Sequence, residues 1–247
     1  MKKIFYLVIG AAMLSLASCV KIDNWAAPGS QFSGNVIDSY TGQNLVIDQN
    51  DWSIRIWEKT WTASVAQYQS IPIKADGTYN NTKLFPGTYD MLAYGGPFWP
   101  CDTIKGVVLG TSTQQDFTVT PYLQVLNFAA TLTGTSLTLT CNVKAPRITG
   151  LPDLYDVKAF LSLTTFCGNS NYINIAEYNN LRKRINRSWA AELAAQTPPL
   201  TGDTGPTYSI GPLPVKSGYT YYVRVGASVN DANRKYNYSP IVQVVVP

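Results

Sequence analysis

The chain has 247 residues, a formal net charge of +4 and no histidine, which excludes a Ser-His-Asp triad, a Cys-His dyad and any His-ligated metal centre. Charged residues are only 14% and hydrophobic residues 45%, so a disordered polyelectrolyte is ruled out and a packed core is available. With 16 Tyr and 6 Trp, the composition is that of an aromatic-rich extracytoplasmic β protein.

Lys2 and Lys3 form a positive n-region ahead of an apolar run from Ile4 to Leu16, too short for a bilayer span and suited to the core of a signal peptide. The run ends in Leu16-Ala17-Ser18-Cys19, which resembles a lipobox: small residues fit the lipoprotein signal peptidase, and the Cys19 thiol takes the diacylglyceryl group. Residues 1–18 are therefore read as a lipoprotein signal peptide, and 19–31 as the lipidated cysteine and its tether. The two lysines lost with the signal lower the formal charge from +4 to +2, which leaves no electrostatic case for nucleic acid. Acyl chains on Cys19 imply a membrane partner through the anchor.

From Phe32 the pattern is one of short alternating strands between turn signals. Phe32–Ile37 runs into Asp38-Ser39-Tyr40-Thr41-Gly42, where Gly supplies a positive φ. Trp52, Ile54 and Ile56 alternate with Ser53, Arg55 and Trp57. Asp76-Gly77-Thr78 is a second turn, and Phe85-Pro86-Gly87 launches a strand over Tyr89–Tyr94. Further strands are expected over Ile104–Leu109 and Gln115–Thr120. Seven or so short strands predict a β-sandwich over residues 32–120. Gly34-x-Val36-x-Asp38 with Thr41-Gly42, followed by Asp76-Gly77-Thr78-Tyr79 and Leu84-x-Pro86-Gly87-x-Tyr89, resembles the carboxypeptidase-regulatory-like, or transthyretin-like, domain.

A second module is expected over 121–247. Leu137, Leu139, Cys141 and Val143 share one strand face. Val157, Leu161, Leu163 and Cys167 share another, Tyr219, Tyr221, Val223 and Val225 a third, and Val242, Val244 and Val246 a last one. This module resembles an immunoglobulin- or fibronectin-III-like sandwich. Tyr172–Gln196 breaks the β rhythm and reads as an insertion with one short helix, Trp189–Ala195, capped by Ser188 and stopped by Pro198 and Pro199. The fold class is thus all-β, two sandwiches held as a rather fixed pair. The arrangement behind a lipobox resembles two-domain outer-membrane lipoproteins of unknown function associated with starch-utilisation-type glycan uptake systems. That resemblance implies a lipid anchor in the outer membrane, at the cell surface or the periplasmic face, and a glycan receptor-transporter as partner. It carries no catalytic residue.

Catalytic patterns are missing from the residues as well. The three glutamates, Glu58, Glu177 and Glu192, fall in different elements and form no local pair for glycoside hydrolysis. There is no nucleophile elbow, dinucleotide fingerprint or P-loop, so no cofactor is expected, and no metal spacing occurs. Cys141 and Cys167 both lie at core-facing positions, so they are a candidate disulfide or two buried thiols, with Cys101 unpaired in either case. Sugars present apolar C–H faces to aromatic rings. Trp57 and Trp61 are candidates because Trp57 points away from its strand's Ile face. Tyr94, Phe98 and Trp99, in or beside a Gly/Pro loop, are candidate ligand contacts, the alternative being that Phe98 and Trp99 fold back as a core plug or pack on the second module. Arg182, Lys183, Arg184 and Arg187 form a basic cluster, either a solvated surface or a patch for an anionic ligand. Asp102-Thr103-Ile104 matches a short O-glycosylation pattern at Thr103. Together these observations predict a non-enzymatic accessory lipoprotein that binds polysaccharide or its receptor; the rival is a structural adaptor with no ligand of its own.

Overall fold

Sixteen strands and one short helix make up the regular structure of a computed structural model, described here for residues 27–59, 67–175, 178 and 181–247. In the first module, β1 (Ser30–Asp38), β4 (Thr78–Leu84), β7 (Ser112–Gln114) and β8 (Phe117–Val119) form one sheet. β1 lies antiparallel to β4 and parallel to β7 and β8. The other sheet is antiparallel, in the order β3 (Gln69–Pro72), β2 (Ser53–Glu58), β5 (Gly87–Tyr94), β6 (Ile104–Leu109). Period-two alternation sends Phe32 and Val36, Ile54 and Ile56, and Tyr89, Met91 and Ala93 into a common core with Tyr79 and Phe117. Each fully buried aliphatic or aromatic side chain contributes about 1.5–3 kcal/mol by its removal from water.

The turns hold the register. Gly77 has φ 79°, and a Cβ there would stand 2.7 Å from the Leu45 carbonyl oxygen. Asp76 accepts the Thr78 N–H at 3.0 Å and the Thr78 hydroxyl at 2.8 Å. After Pro86-Gly87, the Tyr89 hydroxyl donates to the Phe85 carbonyl at 3.0 Å, tying the corner to the strand it begins.

The second module is also a pair of sheets. One has the order β13 (Thr204–Pro214), β10 (Ser136–Lys144), β9 (Gln124–Thr133). The other runs β12 (Arg182–Arg187), β11 (Leu154–Ser162), β14 (Thr220–Val229), β15 (Tyr236–Tyr238), with β16 (Val242–Val245) also on β14. Leu137, Leu139, Cys141 and Val143 meet Val157, Ala159, Leu161, Val223, Val225 and Ala227 between them. The helix α1 (Trp189–Ala194) begins at Ser188, whose hydroxyl accepts the Ala191 N–H at 3.3 Å, and the Trp189 indole donates to Gly202 O at 2.9 Å. Tyr219, Leu163 and Val242, expected inside, are exposed because each sits where its chain enters or leaves the sandwich.

The stretch Tyr172–Gln196 is more than a helical insertion, since β12 lies within it and extends the sheet beside β11. Its Arg-Lys-Arg-Ile-Asn-Arg sequence has no apolar alternation because it is an edge strand, where charge on the open side discourages further pairing.

β11 and β14 are buried on both faces. Asp156, Lys158, Phe160 and Ser162, with Arg224 and Ser228, turn away from the module's core and are still covered. The first module and the 163–175 segment cover Arg224, Lys158 and Phe160, and Arg182 and Tyr236 of the same sheet cover Asp156 and Ser228. Arg224 donates to the Ile47 carbonyl at 2.9 Å, lies 3.6 Å from the Asp48 carboxylate and stacks 3.6 Å above the Tyr238 ring. Asp48 also accepts the Ser170 N–H at 2.7 Å and hydroxyl at 2.8 Å. Gly168 packs directly on this pair; a Cβ there would come within 2.5 Å of Asp48 Cγ. Lys235 pairs with Asp51 at 2.7 Å, Gln124 donates to Asp38 at 2.6 Å, and the Leu123 N–H donates to Asn237 at 3.1 Å. An ion pair joining residues 48 and 224 with almost no solvent, 5% and 1% exposed at the side chains, locks the two modules in one arrangement.

Candidate functional site

Strand parity builds an aromatic surface on the outer face of the first module's second sheet. Ile54 and Ile56 face the core, so Ser53, Arg55 and Trp57 of β2 face outward. β3 and β5 flank β2, and the register places Tyr94 opposite Ser53, Leu92 opposite Arg55 and Asp90 opposite Trp57. Tyr68, immediately before β3, meets Trp57 edge to face with ring centres 5.9 Å apart. The Arg55 guanidinium lies 4.1 Å from the Tyr68 ring centre and 3.5 Å from that of Tyr94. Because the two tyrosines come from opposite sides of β2, they clamp the guanidinium between them. Tyr68 and Tyr94 are each 46% exposed and Arg55 between them is half-buried, so the clamp lies at the surface. Asp90, on the same face, is paired with Lys59 at 3.1 Å and accepts the Gly106 N–H at 3.0 Å; these hydrogen bonds hold its carboxyl below the usual range.

Among the residues singled out from sequence, Trp57 and Tyr94 belong to this face. Arg55 and Tyr68 were not anticipated, although the alternation that turned Trp57 outward applies equally to Arg55. Trp61 and Cys19 lie outside the described residues.

Phe98 is not a ligand contact. It is 4% exposed and packs edge to face on Trp52, ring centres 4.8 Å apart, inside the first core. The flanking backbone of Gly96 and Pro97 folds over it because a large ring left in water forfeits its burial energy. Trp99 turns the other way, toward the second module. It meets Tyr122 at 5.2 Å, and Arg147 stacks 4.3 Å above it. A cavity of about 350 Å³ opens beside it, lined by Asp102, Thr118, Thr120 and Arg147 among others, and the indole N–H is buried without a partner. Thr103 is exposed in the adjoining loop.

The basic cluster lies on β12 and is largely used within the chain. Arg182 pairs with the fully buried Asp156 at 2.7 Å, Arg187 pairs with Glu192 at 3.3 Å, and Arg184 stacks over Tyr155 at 5.1 Å. Two of the four cations thus pair with acids of the chain, Asp156 on β11 and Glu192 on the helix, while Lys183 and Arg184 remain exposed.

Cys141 and Cys167 are free thiols, which corrects the candidate disulfide. Cys141, on β10, sits in the core between the second module's two sheets, whereas Cys167 sits on the far side of the sheet that holds β11 and β14, with Phe160, Tyr236 and Tyr238. The parity argument fails because Cys167 lies beyond the end of β11, where the chain has already turned. Burial raises both thiols to about 12. Among the described residues no group of acidic or thiol side chains could hold a metal, and no helix is long and apolar enough to cross a membrane.

Comparison with solved structures gives the same two-module arrangement. A crystal structure described as a "putative carbohydrate binding protein" from Bacteroides uniformis superposes with a TM-score of 0.72 at 21% identity, covering 88% of this chain and 99% of that one. A DUF3823 family protein from the same species gives 0.69 at 21% identity, covering 89% and 100%. Another from Parabacteroides merdae gives 0.64 at 22% identity, also covering 89% and 100%. A search of the curated proteins found no match. Residues 30–120 match the DUF3823 N-terminal domain, a protein of unknown function, and residues 123–243 match the domain of unknown function DUF3823_C, so the chain belongs to the two-domain DUF3823 family.

Proposed function

We propose that the protein is a non-enzymatic lipoprotein of the cell envelope, held in the outer membrane through Cys19, whose exposed face on β2, β3 and β5 binds polysaccharide for an uptake system. The observation that carries this reading is the run of outward rings at Trp57, Tyr68 and Tyr94 on a rigid sheet. Residues of one strand face recur about every 6.6 Å, so Ser53 to Trp57 spans about 13 Å, room for two or three sugar units of an extended chain. Each ring stacked on a pyranose contributes on the order of 1 kcal/mol by analogy with aromatic pairs, and a few together give about millimolar to submillimolar binding. A strand platform is pre-organised, so little of that gain is lost to ordering. The carbohydrate-binding description of the Bacteroides uniformis structure supports the same reading, and the lipobox supports the anchor.

The test is affinity electrophoresis in gels containing defined polysaccharides. Trp57→Ala with Tyr94→Ala should remove retardation while the melting temperature stays within about 2 °C of the parent. Retardation unchanged in the double variant would refute the site. Cys19→Ala should move the protein from the membrane fraction to the soluble fraction. The second reading, a structural adaptor without a ligand, draws on the use of Phe98 and Trp99 in packing; absence of retardation by every neutral and acidic polysaccharide tried would favour it.

A further inference from the structure

We infer that the glycan held by this face is anionic, a chain whose pyranose rings carry carboxylate or sulfate groups, with Arg55 as the residue that receives the charge. The inference rests on the carbohydrate-binding reading of the same face and adds the chemical class of its ligand.

Three features of the face converge. First, the guanidinium of Arg55 has both π faces occupied, by Tyr94 at 3.5 Å and Tyr68 at 4.1 Å, so its N–H edges are what remains for a ligand. Stacking fixes the plane of the fork without using a single donor. Second, no carboxylate of the described residues pairs with Arg55. Ion pairs among the described residues engage Lys59, Lys144, Arg182, Arg187, Arg224 and Lys235 instead. Third, the acid on this face, Asp90, is already neutralised by Lys59 and by the Gly106 N–H, and Lys105 adds a further positive charge nearby. The face therefore combines apolar rings with an uncompensated, pre-oriented cation. A neutral glycan uses the rings alone. A glycan with an anionic group beside its ring uses the rings for its C–H face and the Arg55 fork for two charge-assisted hydrogen bonds.

The contrast with Arg224 sharpens the point. That arginine also stacks on a tyrosine, but one of its amino groups donates to the Ile47 carbonyl and the Asp48 carboxylate sits 3.6 Å away to balance its charge, although its Nε–H is buried without a partner. A stacked arginine made for packing carries its own acceptors, whereas Arg55 does not.

The experiment measures binding of the full mature protein to polygalacturonate, to the same polymer after carboxyl reduction, to dextran sulfate and to polyglutamate, each at about 20 and 200 mM salt. Polygalacturonate should bind at least tenfold more tightly than its reduced form, with the difference shrinking at the higher salt. Arg55→Gln should bring the acidic polymer down to the level of the reduced one. Arg55→Lys should recover only part, since the point charge lacks the fork. Tighter binding of dextran sulfate than of polygalacturonate, also lost in Arg55→Gln, assigns the anionic group to sulfate rather than carboxylate and upholds the inference. Equal binding of native and reduced polygalacturonate with no gain for dextran sulfate overturns it and leaves the carbohydrate reading standing. An acid preference that survives Arg55→Gln overturns it by placing the charge elsewhere. Polyglutamate binding as tight as polygalacturonate overturns the glycan class in favour of an acidic peptide. Failure of every polymer to bind removes the carbohydrate reading itself.

Discussion

Two of the molecule's arginine–aromatic assemblies stand in contrast, one on the outer face of the first module and one at the seam between modules. Their chemistry starts alike. Arg55 is clamped by Tyr68 and Tyr94, and Arg224 stacks on Tyr238. What differs is everything around the stack. Arg224 is buried with Asp48 and the Ile47 carbonyl, roofed by Gly168, and flanked by Phe160, Tyr236 and Tyr238 packed edge to face. Arg55 is half-buried between two solvent-exposed tyrosines, and no carboxylate of the described residues pairs with it. Removing a group from the seam leaves partners unpaired in a low-dielectric space; removing one from the face returns its neighbours to water. The same pair of residue types is thus structural in one place and available in the other, and the difference lies in solvent access and in whether a carboxylate of the chain already balances the charge.

The largest effect that tests this contrast is expected at the seam. Arg224→Ala leaves Asp48 buried and unpaired and should destabilise the protein by about 3–5 kcal/mol, read from the denaturant midpoint. A loss under about 1 kcal/mol would show that the modules are not held by this pair. Phe98→Ala opens a hole under Trp52 and should cost about 3 kcal/mol in the same assay. Trp99→Ala, partly buried between the modules, should cost about 2 kcal/mol, since only part of its surface is withdrawn from water.

A smaller effect concerns pH. Burial raises the Asp51 carboxyl above its ordinary value, against the opposing pull of Lys235. Between the ordinary and the raised value the folded protein retains a proton that the unfolded chain has released. Stability contributed by Asp51 is therefore greatest below the ordinary carboxylate value and is lost as pH rises through the raised one. Asp51→Asn should flatten the fall in stability above about pH 4 in a series of urea titrations, and an unchanged slope would remove Asp51 as its source. The smallest effect belongs to the outer face. Tyr94→Ala or Trp57→Ala should change stability by less than about 0.5 kcal/mol, the range of surface substitutions. A loss of 2 kcal/mol or more would mean that the clamp is part of the fold and would erase the contrast.

What the sequence determined by itself is what depends on neighbours along the chain. Period-two alternation is local, so Ile54 and Ile56 against Arg55 and Trp57, and the Leu137–Val143 face, were legible as strands with an inside and an outside. The Asp76-Gly77 and Pro86-Gly87 turns were legible because their backbone geometry demands those residue types. The capped helix at Trp189 was legible for the same reason. Only the tertiary structure decided what happens where elements from distant parts of the chain meet. Strand β12 carries no apolar alternation, and its pairing depends on β11 being there to receive it. Cys141 and Cys167 look alike by parity yet fall on opposite sides of one sheet. Phe98 and Trp99 are adjacent in a Gly/Pro loop, and nothing local says that one plugs the first core while the other wedges against the second module. Tyr68, outside any strong strand pattern, reaches the outer face only because β3 pairs beside β2. Burial and electrostatic pairing are set by groups brought together across the fold, so whether an arginine is a structural pin or an open receptor depends on three-dimensional packing and not on the residues beside it in the chain.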